Sequence, residues 1–157
     1  MDERIENIFG RKVAMCLLAT NWQYKEHAMK FVFRTIEKYL TRVEITSSSF
    51  AFTITEMVDA AMAAVSATCR EKVIKVFNIS LQLFNMVVQS SRVEKDFAAM
   101  AKVKSCLKKE SIISKFLMKS EETNTRVTNK IHEALLDLSY HNAIGDEPVV
   151  KEVFAMI

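Results

Sequence analysis

A chain of 157 residues with 2 glycines and 1 proline, half of it hydrophobic, is long enough to bury one core and too poor in turn residues for an all-β or α/β domain. Its formal net charge of +3 is mild, which suits an acidic partner without pointing to nucleic acid. No apolar run reaches the roughly 18 residues that a membrane-spanning helix needs, and Met1-Asp2-Glu3-Arg4 lacks a signal-peptide pattern, so a soluble, cytoplasmic protein is expected.

The apolar period predicts a first helix over residues 3–19, with Ile5, Ile8, Phe9, the stem of Lys12, Val13, Cys16 and Leu17 on one stripe. Thr20 followed by Gln23 reads as a capping box, which puts Trp22, the only tryptophan, in the first turn of a second helix over 22–42. A first-turn aromatic either presents a contact surface or packs over the preceding helix end, and local pattern alone does not choose. The second helix has Ala28, Phe31, Val32, Ile36, Tyr39 and Leu40 on its apolar face. Its wet face carries Glu26, Lys30, Arg34, Glu37, Lys38 and Arg42, with Glu26 and Lys30 paired at i,i+4.

Ser47-Ser48-Ser49 reads as a linker. Thr53-Ile54-Thr55-Glu56 is a second capping box and starts an alanine-rich third helix that runs to Thr68. A fourth helix follows Cys69-Arg70-Glu71-Lys72 and runs to Gln89, apolar around most of its circumference and therefore central. A fifth covers 94–119 with a break near Lys108-Lys109-Glu110-Ser111, and a sixth covers 125–140 with Val127, Ile131, Ala134, Leu135 and Leu138 inward. The acidic pair Glu121-Glu122 reads as a helix-start charge favoured by the macrodipole. Asp146-Glu147-Pro148 starts a last helix that is still apolar at Ile157.

Cys16, Cys69 and Cys106 lie far apart, each within a helical pattern, and read as buried free thiols of a reducing compartment. They show no ligand spacing with His27, His132 and His141, so neither a metal site nor a cofactor is expected. Gly10 and Gly145 are isolated, which leaves no phosphate-cradling loop, and no nucleophile–base set can be placed in a cleft. The chain reads as a non-enzymatic binding module.

The second helix of each pair begins near residues 22, 71 and 125, a spacing slightly long for a HEAT period of about 40–47 residues, with the excess placed in linkers at 43–53 and 91–101. The expected fold is all-α, an α-solenoid of antiparallel helix pairs. It is read as one helical-repeat domain over 1–157, with about three HEAT-like repeats at 1–46, 50–92 and 94–142 and the start of a fourth at 146–157. The unfinished last helix is expected to belong to a fragment of a larger chain. Stacking places the loops 20–23, 68–72 and 120–125 along one edge, where repeat proteins commonly bind partners.

Those loops carry a resemblance. Asn21-Trp22-Gln23-Tyr24-Lys25-Glu26-His27-Ala28 resembles the opening repeat of TOG domains, HEAT-repeat tubulin-binding modules with an exposed tryptophan in the first loop and a basic amphipathic helix after it. The run Val76 to Val88 is similar to the second repeat of the TOG domain in a ciliary-tip centrosomal protein. Glu122-Thr123-Asn124-Thr125-Arg126-Val127 resembles that domain's third loop, where an arginine enters the next helix. A kinase of the MEKK type carries a divergent TOG domain of similar pattern.

The resemblance spreads over most of 15–140 and implies binding to αβ-tubulin or microtubule ends, and a place on the cytoskeleton at a centrosome or cilium. The site residues it implies are Trp22, Gln23, Lys25, Arg70, Lys72, Asn124 and Arg126. Two features depart from the family. TOG domains have six HEAT repeats, about twice what is read here, and Thr128 stands where a second basic residue is common. The competing readings are a HEAT-type scaffold that uses its concave face, and a regulatory segment of a larger signalling kinase.

Overall fold

Gly10 divides the first expected helix in two. The structure, a computed structural model, describes residues 1–41 and 52–157. In it α1 (Glu3–Phe9) and α2 (Arg11–Leu18) are separated by Gly10 at φ 97°, ψ 160°, a conformation closed to residues with a Cβ. Asp2 caps α1 by accepting the Arg4 backbone N–H at 2.9 Å. The stripe keeps Ile5, Phe9, Ala14 and Leu17 buried across the break, whereas Lys12 is exposed rather than laid along the core.

α3 (Trp22–Thr41) starts where expected, but Thr20 does not cap it. Asn21 accepts the Gln23 backbone N–H at 2.9 Å instead, one residue closer to the helix. The core face of α3 also differs: Met29 is fully buried and Phe31 is 44% exposed, because the helix is clasped by α2 on one side and a later helix on the other. Glu26 receives the expected bond from Lys30, at 3.2 Å. The serine linker at 47–49 and the end of the second expected helix at Arg42 lie outside the described residues.

The Thr53–Glu56 capping box forms in both directions and opens α4 (Ile54–Thr68). Nine residues of α4 are buried, five of them alanines and valines in the run Ala60 to Val65. Their small size lets α1, α3, α5 (Ile74–Gln89) and α7 (Phe97–Lys109) all pack on this one helix. The stretch expected as a linker at 91–101 is helical: α6 (Ser91–Lys95) and α7 follow α5 at once, capped by Ser90 and Asp96.

The expected break falls at Ser111, which sits in the left-handed region at φ 52° between α7 and α8 (Ile112–Glu121). A non-glycine residue pays about 1–2 kcal/mol there. Ser111→Gly is therefore expected to raise unfolding stability by about 1 kcal/mol, read from the midpoint of urea denaturation; an unchanged or lowered midpoint would contradict the strain. The chain closes with α9 (Thr125–Ser139) and α10 (Glu147–Met156), whose proline stands in the first turn.

The pairs stack in two layers. The antiparallel partners α2·α3, α4·α5 and α8·α9 pack on one another. α1, α4, α7, α8 and α10 form one layer, and α3, α5 and α9 the other. This is the all-helical solenoid expected, with every described regular element an α-helix. Arg4 ties α1 to α4 and to the end of α7 by bonding Asp59 at 3.0 Å and Glu110 at 2.6 Å, while Asp2 grips it at 2.8 Å. These contacts lower the Asp2 pKa, chiefly through the Arg4 hydrogen bonds.

All three cysteines are free, but they are not alike. Burial pushes the Cys69 thiol up to about 11 and Cys106 to about 12, the latter helped by the Asp59 carboxylate. Cys16 is only half-buried, which corrects the expectation of three buried thiols. Alkylation with iodoacetamide at pH 8 is expected to modify Cys16 first and to reach the other two at least about ten times more slowly, since the thiolate is the nucleophile. Peptide mass mapping at successive times checks the order, and equal rates would contradict the burial.

Candidate functional site

Three connections line one edge of the stack: residues 19–21 before α3, 69–73 before α5, and 122–124 before α9. Side chains bridge them in series. Lys25 in the first turns of α3 bonds Glu71 at 2.5 Å, and Arg70 bonds Glu122 at 2.5 Å. Lys75 of α5 reaches back over the Trp22 ring, with Nζ 5.6 Å from its centroid. The edge is thus one surface whose three connections are cross-linked by charge.

Trp22 opens α3 at the first of these connections. It is half-buried and packs against the core, while part of the indole remains on the surface beneath the Lys75 ammonium. An indole held between apolar packing and a cation has little conformational freedom left.

The other implied residues fall into separate groups. Lys25 is committed: with only 19% of its side chain exposed, it is an inter-repeat strut rather than a free cation. Arg70 is nearly half exposed and shares its charge with Glu122. Gln23 is exposed, its backbone N–H spent on Asn21. Asn124 caps α9 by accepting the Val127 N–H at 3.0 Å, a local structural duty. Lys72 and Arg126 are exposed and, among the described residues, form no ion pair. Thr128 is occupied in donating to the Ser120 carbonyl at 2.8 Å.

Three participants were not foreseen. Glu71 and Glu122 neutralise two of the cations, and Lys75 stacks on the tryptophan. Glu121 and Glu122 stand at the end of α8 rather than at a helix start, Glu122 as its C-cap, where the macrodipole disfavours an acid. The Arg70 bond compensates for this. A fourth, Lys119, is only 4% exposed and lays its ammonium 5.5 Å from the Phe77 ring centre, just inside the same edge.

Among the described residues no helix is long and apolar enough to cross a membrane. No protein in the curated set matches the chain. A solved structure titled "CEP104 TOG domain" superposes with a TM-score of 0.70 at 19% identity, over 90% of this chain and 52% of that one. This chain therefore spans about half the length of that structure, and at this identity the likeness speaks for the fold. The sequence itself matches the family model described as "Centrosomal protein CEP104, TOG domain" over residues 4–147. That match runs from α1 through the three cross-linked connections to the first turn of α10, and on it the chain belongs to the CEP104 TOG domain family.

Proposed function

We propose that the chain is a non-enzymatic module that binds αβ-tubulin or microtubule ends through the edge formed by the three connections. Trp22 is the aromatic anchor, Arg126 and Lys72 are the cations available to an acidic surface, and Arg70 joins them by exchanging Glu122 for a carboxylate of the partner. The observation that carries this reading is the series of inter-loop ion pairs, which holds the tryptophan and the uncommitted cations on one edge. Interface energy concentrates on tryptophan and arginine, and unpaired rim lysines raise the association rate more than the affinity. The setting that follows is the cytoplasm, on the cytoskeleton at a centrosome or cilium, with neither nucleic acid nor membrane as a partner and no cofactor.

The test is co-elution of the chain with αβ-tubulin on size-exclusion chromatography at low and moderate salt, alongside Trp22→Ala and Arg126→Ala. Co-elution of the parent that weakens with salt and is lost in both variants supports the edge. A parent that binds equally well without either side chain argues for a scaffold that uses another face.

A further inference from the structure

The central helix α5 is not apolar all round. Asn78, Gln82, Asn85 and Gln89 recur at i, i+4, i+7 and i+11, a stripe of carboxamides on a helix whose other faces are in the core. α9 packs beside α5, and the first three carboxamides form one wall of a cleft of about 270 Å³. Lys130, Glu133 and Asp137 of α9 form the other. A second, open cleft shares Asp137 and adds Gln89, Glu94, Tyr140 and His141, so the two together follow α5 from Asn78 to Gln89 and α9 from Lys130 to its end. Among the described residues, none of the four carboxamides makes a side-chain hydrogen bond, and Glu94, Glu133 and Asp137 form no ion pair.

Two residues of its lining each have a polar atom withdrawn from water without a partner, Asn78 Oδ1 and His141 Nε2. His141 is 9% exposed. Its Nδ1 accepts the Ala143 N–H at 3.1 Å, so a neutral ring carries its proton on the orphaned Nε2. Asn78 thus has a spare acceptor and His141 a spare donor. Buried polar groups are normally satisfied, and exceptions call for a missing partner.

The dimensions and the chemistry agree on what that partner is. Eleven residues of helix rise about 16 Å, the length of about five residues of extended chain. Carboxamides both donate and accept, so a ladder of them can pair with peptide N–H and C=O groups whatever the side chains. Three carboxylates face one lysine along the groove, which favours cationic side chains. We infer that the α5/α9 groove binds an extended peptide segment bearing lysine or arginine. The carboxamides hold its backbone, and Glu94, Glu133 and Asp137 hold its charge. This site is separate from the tubulin-facing edge and does not depend on that reading.

The test is a ¹⁵N NMR titration of the whole chain with the acetylated, amidated peptide (Lys-Ala)4, its (Glu-Ala)4 counterpart, and a backbone N-methylated (Lys-Ala)4. The side-chain amide signals of Gln82, Asn85 and Gln89 are expected to move with the first peptide alone. Gln82→Ala/Asn85→Ala is expected to weaken that binding about ten-fold, as two hydrogen bonds are lost. Glu133→Gln/Asp137→Asn is expected to weaken it similarly and to flatten its salt dependence. Gln82, Glu133 and Asp137 are exposed and Asn85 is half-buried, so the fold should survive, which the rest of each spectrum reports. Absent shifts, equal shifts with the N-methylated peptide, or insensitivity to the carboxamide variant would each overturn the inference. Arg126→Ala should leave the titration unchanged, which separates failure here from failure at the edge.

Discussion

Trp22→Ala is expected to lower affinity for αβ-tubulin by about thirty-fold or more, the loss of roughly 2 kcal/mol that a central tryptophan anchor carries. The indole also packs on the core, so part of any loss could come from a loosened α3. Trp22→Phe separates the two effects, because it keeps most of the apolar body while removing the larger face beneath Lys75. Arg126→Ala is the cleaner probe. Its side chain is exposed and makes no ion pair among the described residues, so its removal should leave thermal stability unchanged and still weaken binding about five- to ten-fold. Isothermal titration of tubulin with the four proteins, beside circular dichroism melts, supplies both readings. Arg126→Ala binding as well as the parent would remove the third connection from the site.

Phe116→Ala is expected to be the most damaging single change to the fold. The ring is fully buried on α8 and meets two rings of α5 edge-on: Phe84 at 5.1 Å and 61°, Phe77 at 6.2 Å and 82°. It joins the third helix pair to the second. Truncating a buried phenylalanine costs about 3–5 kcal/mol, against a total of about 5–15 kcal/mol for a domain. At roughly 2–4 °C per kcal/mol for a chain of this size, the melting temperature should fall by about 6–20 °C. Phe116→Leu, which keeps more of the volume, should fall less than half as far. A drop below about 3 °C would mean that the cavity collapses and that the aromatic cluster does not join the two pairs.

What could be read in the sequence was local. The Thr53–Glu56 box was legible because both of its bonds close within four residues, and it forms as written. Pro148 and the Lys108–Ser111 break were legible for the same reason. The Gly10 break was not, because the buried stripe resumes in register on its far side and the period hides the interruption. Period alone puts Phe31 on the core face. Which arc of a two-sided helix is covered depends on the neighbours it meets, and here Met29 takes that place. At the edge, periodicity put the three connections together, but it could not foresee that Lys25 and Arg70 find carboxylates 46 and 52 residues away. The carboxamide stripe of α5 was hidden by the apolar residues around it.

The unequal burial of the helices has a consequence for local opening. α4 has nine buried residues and neighbours on four sides, whereas α10 has none buried and rests chiefly on α8 and α9. In a stack where each unit touches only adjacent ones, free energy of opening is set by the interfaces that must part. Amide hydrogens of α10 should therefore exchange with solvent deuterium through a small, independent opening, while those of α4 wait for the whole stack to separate. Firmness is thus graded through the described helices, greatest around α4 and least at α10.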